Sequence, residues 1–290
     1  MDCILCSSSA SALIRSGVRM AQDMQVRRCL NCGLIFLWPS ASEKELEEYY
    51  DKSYGDDCGD PPVPERYRVG LKDAAVRIDR LRGLLGPEKE ALEIGSDAGS
   101  FLSMAKPRLK RIIGVEPNTG CRRWVEGNLG MTVFPRVDDV IAEGGVYDMI
   151  FMFHVLEHMT NPVAFLRRIR ALLRPQGRVI VEIPSINDAL VSVYRLPSFA
   201  HFYYQKAHLF YFSKDTLKRA FNSAGLDVEI WGLQHYGLSN HLNWFFTARP
   251  RANGRCRSII PAFLQNIYAR MLIRAGCSDT LWAIGSLNGQ

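Results

Sequence analysis

No stretch of this chain is long enough or apolar enough to cross a bilayer. Runs such as MIFMF and VIVEI fall far short of the roughly 18 residues required. The opening MDCILC lacks the basic-then-apolar pattern of a secretory signal, so a cytoplasmic protein with no membrane partner is expected. Internal repeats and low-complexity tracts are missing too, which excludes solenoids and disordered tails. Charge is not gathered into a dominant block. The net value is +6, but Arg27, Arg28, Arg66, Arg122, Arg167, Arg168, Arg178 and Arg219 are spread along the chain. Spread charge favours solubility or an anionic small substrate over a dedicated nucleic-acid surface. The G-x-G-x-x-G fingerprint of a dinucleotide site is also lacking, which counts against a nicotinamide-dependent oxidoreductase.

What is present is an ordinary globular composition: 290 residues, 47% hydrophobic and 23% charged, enough to bury a sizeable core with a smaller unit attached. Eight cysteines divide into two groups. Cys58, Cys121, Cys256 and Cys277 are scattered singly, as small buried hydrophobes are. Cys3, Cys6, Cys29 and Cys32 form two C-x-x-C pairs, and Gly33 follows the second pair, where a tight knuckle needs positive φ. With no secretory signal, metal is favoured over disulfides for these four, and redox-active or incidental thiols are the alternative. The spacing predicts a zinc ribbon over residues 1–40, its four thiolates closing a structural tetrahedral site.

SASEKELEEYYDKSYG reads as a helix opened by Ser42 with Glu45 completing a capping box, within a helical linker spanning 41–66. From there strands are expected near 90–95, 111–116, 131–134, 147–153 and 178–183, and helices near 100–106, 119–128, 162–173 and 214–224. Asn161-Pro162 opens one of those helices and Gly225 closes another. Such alternation means a parallel sheet covered on both faces. Residues 234–277 read as a helical insertion or cap. The arginines of RPRANGRCR either bind a phosphate-bearing acceptor or lie in a solvated linker. The amphipathic helix after them suits a core or subunit contact, which leaves a homodimer open, with membrane-surface binding as the lesser alternative.

In an open α/β sheet the ligand sits beyond the carboxyl ends of the strands, first at the turn after the first one. Here that turn is LEIGSDAGSFL, and it carries Glu93 and Asp97 beside Gly95 and Gly99. Carboxylates there would repel a diphosphate and suit a cationic, phosphate-free nucleoside such as S-adenosylmethionine. Glu116, at the end of IGVEPN about 20 residues on, is placed to accept ribose hydroxyls.

These residues, with YDMIFMFHVLEHMTNPVAFLRRIRALLRPQGRVIVEIP and AHLFYFSKDTLKRAFNSAGLDVEIW, make the chain resemble the class I S-adenosylmethionine-dependent methyltransferases. The resemblance covers most of residues 90–231. With the N-terminal cysteines it is similar to the subgroup that carries a zinc-binding domain and includes enzymes acting on nucleotide-linked sugars. It implies an α/β, doubly wound, seven-stranded Rossmann-like sheet formed by residues 67–233 and 278–290. TLWAIGSL would insert beside LDVEIW as the antiparallel strand. It also implies S-adenosylmethionine and zinc as cofactors, and a small-molecule acceptor. The cofactor residues it implies are Glu93, Gly95, Ser96, Gly99, Glu116, Pro117 and His154, with Tyr54 reaching over from the N-terminal part. Glu93 and Glu116 also have a plain reading as strand-end acids, and His154 as a packing residue.

Among acceptor-side residues His208 is the expected general base with Tyr204 assisting, since oxygen, nitrogen and carbon acceptors usually lose a proton. The alternative makes this aromatic segment a lid and His208 a helix cap. Two departures stand out. Asp97 replaces a glycine of the usual turn, and Ala207-His208 stands where the sugar enzymes tend to have Glu-His. A second reading of the whole chain is a zinc-ribbon binding module with an inactive methyltransferase-like domain.

Overall fold

Apolar strands of five to twelve residues build the centre of the molecule. The computed structural model describes residues 2–40, 42, 45, 46, 49, 61–250 and 260–287. Its larger sheet contains β4 (Glu90–Ile94), β5 (Arg111–Val115), β6 (Val133–Phe134), β7 (Tyr147–Phe153), β8 (Leu173–Pro184), β10 (Leu226–Leu233) and β11 (Thr280–Leu287). Their order is β10-β11-β8-β7-β4-β5-β6. β11 is antiparallel to both neighbours, whereas β4, β5, β6, β7 and β8 pair in parallel. The expected insertion of TLWAIGSL beside LDVEIW is therefore observed.

The two-residue period of the strands sorts the core into two layers. Leu92, Ile94, Ile150, Met152, Val179 and Val181 face one side, where helices α5 (Pro162–Arg170) and α8 (Lys214–Ser223) bury Leu166, Ile169, Leu217 and Phe221. Ala91, Met149, Phe151, Phe153, Ile180 and Trp282 face the other. There α1 (Val63–Arg80), α2 (Ser100–Ala105) and α3 (Thr119–Leu129) bring Ile78, Phe101 and Val125. Phe101 meets Phe151 and Phe153 edge-on at 4.9 and 4.8 Å, a geometry worth about 1 kcal/mol per pair beyond burial.

Local signals place most boundaries. Asn161 accepts from the Ala164 amide and Pro162 opens α5. α8 stops at Ser223, and Gly225 follows with φ 78°. Ser42 and Glu45 exchange the two bonds of a capping box, the Ser42 amide donating to Glu45 Oε2 at 2.8 Å. Two boundaries differ from expectation. α5 ends at Arg170 because LRPQG already pairs with β7 through an irregular start of β8, in which Gln176 takes φ 65°. α1 starts at Val63, inside the span expected as linker (41–66), with Pro62 at its N-cap position. α4 (Val137–Ala142) and the short α6 (Ala189–Ser192) and α7 (Pro197–Tyr203) complete the connections.

The N-terminal residues form β1 (Ser11–Val18), β2 (Ala21–Cys29) and β3 (Ile35–Trp38), an antiparallel sheet. Its fourth strand is β9 (Phe210–Tyr211), contributed by the segment between α7 and α8. The Arg19 amide donates to the Tyr204 carbonyl and the Lys206 amide to the Arg19 carbonyl, so residues 204–211 are laid along the ribbon. Residues 234–277 include α9 (Leu238–Thr247) and α10 (Ala262–Arg274). Among the described residues no helix is long and apolar enough to span a membrane.

Candidate cofactor and acceptor site

The turn after β4 is a short left-handed bend: Gly95, Asp97 and Gly99 have φ of 75°, 47° and 79°. A Cβ on Gly95 would sit 2.5 Å from Val155 Cγ2, and one on Gly99 2.9 Å from Val125 Cγ2. Both glycines are thus required by backbone conformation and by close packing.

Four amides of this turn are already used. Gly95 and Ser96 N–H both donate to the Val115 carbonyl, at 2.8 and 3.1 Å, and Gly99 N–H donates to the Ser96 carbonyl at 2.9 Å. Asp97 N–H donates to Glu116 Oε2 at 2.8 Å. A diphosphate cradle needs such amides turned outward. The amides therefore supply the stronger argument against a dinucleotide.

The carboxylates argue less than the sequence suggested. Asp97 is ion-paired with Arg66 of α1, and the Cys121 thiol approaches the same oxygen at 3.6 Å. Glu93 is buried, with Oε2 lacking a hydrogen-bond partner, and burial pushes its pKa well above the carboxylate range. Little net negative charge is left in the turn to attract a cation.

Glu116 directly follows β5 and is buried. Besides Asp97 N–H it accepts Asn118 N–H at 2.8 Å, and burial raises its pKa to about 7. Pro117 follows in a loop held by Arg122, whose Nη1 donates to the carbonyls of Glu116 and Pro117 at 2.8 and 2.6 Å. Ser96 is buried, and its Oγ has no hydrogen-bond partner.

His154 ends β7 in a left-handed conformation, φ 58°, with its side chain 44% exposed. Its Nδ1 lies 3.4 Å from Glu157 Oε1, and its Nε2 lies 3.9 Å from Glu182 Oε1. Burial opposes the imidazolium, but the two carboxylates outweigh it and raise the pKa. Glu182, a buried acid of β8, also accepts from Arg77 Nε at 2.7 Å and pairs with His235 Nε2 at 2.8 Å. Despite its burial these partners hold it down to about 2. Glu182, Arg77 and His235 were not singled out from the sequence. An acid inside the apolar run VIVEIP was the available signal.

His208 is half-buried and lies near Glu157 and His158, whose ligand-type atoms all fall within 4.8 Å of one another. Its ring meets that of His158 edge-on at 4.8 Å. Arg19 donates to Gln205 Oε1, so the Gln205 amide nitrogen faces His208 Nε2 at 2.7 Å. That chain makes Nε2 the acceptor and puts the proton on the buried, unbonded Nδ1. A protonated Nδ1 is no metal ligand, so the trio is better described as a histidine beside a buried carboxylate. Glu157 is 2% exposed and neither of its oxygens has a hydrogen bond. Burial and the positive charge of His158 lower the His208 pKa to about 3, so its ring is neutral. The cap of α8 is Ser213, whose Oγ accepts Thr216 N–H, so His208 is not needed for capping.

Tyr204 is not beside His208. It packs in the aromatic layer against β1–β3, its ring 5.0 Å from Tyr211, which in turn faces His208 at 6.0 Å. Tyr54 lies outside the described residues.

The four N-terminal cysteines converge. Cys3 and Cys32 sulfurs are 3.4 Å apart, Cys6 and Cys29 3.5 Å, and all four lie within 4.8 Å of one another. Thiolates 2.3 Å from a tetrahedral zinc would stand about 3.8 Å apart, so the donor set and its spacing fit that ion.

A family model described as a methyltransferase domain matches residues 66–229. The tRNA U34 carboxymethyltransferase of Syntrophotalea carbinolica is 28% identical over 129 residues, covering 42% of this chain and 39% of that protein. The C-methyltransferase NovU of Streptomyces niveus is 25% identical over 177 residues, covering 56% of this chain and 40% of that protein. The chain thus spans about two fifths of the length of either relative. Among solved structures, the plantazolicin methyltransferase BamL, in complex with a triazolic desmethylPZN analog and SAH, aligns with TM-score 0.53 at 14% identity. That alignment covers 84% of this chain and 94% of BamL, and shows a shared fold.

Proposed function

The chain belongs to the methyltransferase domain family, and from that premise we propose that it uses S-adenosylmethionine to methylate a small-molecule acceptor, a nucleotide-linked sugar or another natural-product intermediate. The observation that carries this reading is that four amides of the β4 turn bond back into the protein, one of them to Glu116, the acid that follows β5. Such a site holds a ribose but offers no diphosphate cradle.

Bound there, S-adenosylmethionine supplies an electrophilic methyl group. Glu116 would accept the ribose hydroxyls, with Gly95, Ser96, Gly99 and Pro117 shaping the pocket wall and His154 lying toward the reacting end. Glu93 would support the turn from beneath. Methyl transfer is an in-line displacement, so holding the acceptor in line supplies much of the rate. His208 is the proposed base: its ring is neutral, its lone pair is on Nε2, which would exchange the Gln205 amide for the acceptor's proton, and Glu157 lies close enough to stabilise the cation that proton uptake creates. In this role Glu157 stands where the missing glutamate before His208 would otherwise act, and Tyr204 contributes by packing.

Cys3, Cys6, Cys29 and Cys32 are proposed to hold one zinc. Four protein ligands leave no open position, so the metal is structural. Its task is to keep β1–β3 in place as the support for residues 204–211.

Calorimetry with S-adenosylmethionine, S-adenosylhomocysteine and NAD tests the cofactor reading. Binding of the first two without the third is expected, and NAD binding alone would refute it. A mass-shift screen of candidate sugars and natural-product intermediates then identifies the acceptor through a gain of one methyl group.

A further inference from the structure

Residues 230–278 contain no aspartate, glutamate or lysine but six arginines, so this one stretch carries a charge equal to the net +6 of the whole chain. Its described part is the pair α9 and α10. The inner side of the pair is tied down by polar bonds: His241 Nδ1 with the Tyr268 hydroxyl at 2.7 Å, Tyr268 with Tyr194 at 2.8 Å, and Gln265 Nε2 to Ser239 Oγ at 2.9 Å. Leu272 is buried on the same side.

The other side of α10 is apolar and uncovered. Phe263, Ile267 and Met271, at i, i+4 and i+8, are 61, 59 and 51% exposed, and Phe246 of α9 is 83% exposed. Helical spacing puts Arg270 and Arg274 on the same face as this stripe, and both are exposed. Asp188, whose charge is felt at Tyr268, and Asp279, which accepts Tyr236 N–H, are both buried.

We propose that α10, with the end of α9, is a docking surface for an anionic lipid bilayer. An apolar stripe bordered by arginines, with no acid in between, is the pattern of a helix lying in a membrane interface. The aliphatic stems of Arg270 and Arg274 would lie along the stripe while their guanidinium groups reach the headgroups. A second copy would bring the same positive charge to the contact, which repels. Nucleic acid would leave Ile267 and Met271 without an apolar partner. The inference is independent of the reaction catalysed, and it departs from the expectation that no membrane is involved.

The test is co-sedimentation of the full chain with vesicles of phosphatidylcholine alone and of phosphatidylcholine with phosphatidylglycerol in equal parts. Binding is expected to the anionic vesicles, weakened by added salt, and weakened about fivefold for each charge removed in Arg270→Gln and Arg274→Gln. Ile267→Ser with Met271→Ser should abolish it. Retained S-adenosylhomocysteine binding in each variant shows that the fold is intact, because none of these residues is in the proposed cofactor site. Failure of the unaltered chain to bind either vesicle overturns the proposal, as does binding that the variants leave undiminished. A dimer in light scattering that Ile267→Ser converts to monomer, or RNA retention lost in the arginine variants, would assign the face to another occupant.

Discussion

The backbone N–H of Asp97 donates to Glu116 Oε2 at 2.8 Å, so the turn after β4 and the acid that closes β5 form one unit. Replacing Glu116 therefore removes a support of the turn together with the proposed ribose contact. Glu116→Gln should weaken S-adenosylhomocysteine binding about 10- to 100-fold in calorimetry, as expected when a charged hydrogen-bond acceptor is lost. An unchanged affinity removes Glu116 from the site.

The same residue makes binding and stability respond to pH in opposite senses. Burial raises the Glu116 pKa to about 7 in the ligand-free protein, while ribose hydroxyls favour the carboxylate. Affinity should rise with pH up to about 7 and level off above it. Stability runs the other way: between the unfolded carboxylate value and about 7 the native state holds the extra proton. The contribution of Glu116 to stability is thus present at acid pH and lost as pH rises through that window, by up to ~1.4 kcal/mol per unit. Calorimetry and thermal melts across pH 5 to 8.5, compared with Glu116→Gln, separate the two effects.

Gly95→Ala places a Cβ 2.5 Å from Val155 Cγ2 at a backbone φ of 75°. Left-handed strain and overpacking both oppose it, so a loss of about 2 to 4 kcal/mol is expected in denaturant titration. A stability within 0.5 kcal/mol of the unaltered chain would show that the turn relaxes freely.

Loss of the thiolate cluster should act at a distance. Metal analysis is expected to return one zinc per chain, and Cys29→Ser to abolish it and to weaken acceptor turnover far more than S-adenosylhomocysteine binding. The reason is that the ribbon supports residues 204–211, not the β4 turn. Metal-free native protein would defeat the zinc assignment.

His208→Ala should lower kcat by about 10² to 10⁴ while leaving cofactor affinity in place. Since the ring is already neutral above pH 3 or so, no acid limb near pH 6.5 is expected from it. Glu157→Gln should slow turnover less, because it stabilises a charge without taking the proton. Full activity in His208→Ala would leave proton removal to another group or to solvent.

Much of this was legible in the sequence because it is written in local patterns. Apolar five-residue strands, Asn161-Pro162, Gly225 and the Ser42–Glu45 box each specify their element through nearest-neighbour chemistry. The cysteine spacing likewise pointed to four converging sulfurs and the strand alternation to a parallel sheet, while its reversed strand at TLWAIGSL came from the family resemblance. What the sequence misjudged was charge. Asp97 and Glu93 looked like an open acidic lip, yet one is neutralised by Arg66, 31 residues upstream, and the other is buried deeply enough to favour its neutral form.

By itself, then, the sequence determined the kind of sheet, the cysteine cluster and the glycine turn, since periodicity, spacing and φ preference act over a few residues. Only the tertiary structure decided which amides face inward, that Glu157 lies beside His208, and that Arg19 from the ribbon orients Gln205 toward that histidine. Those relations join residues far apart in the chain, and hydrogen bonds and burial come into existence only when the sheet and its helices have brought them together.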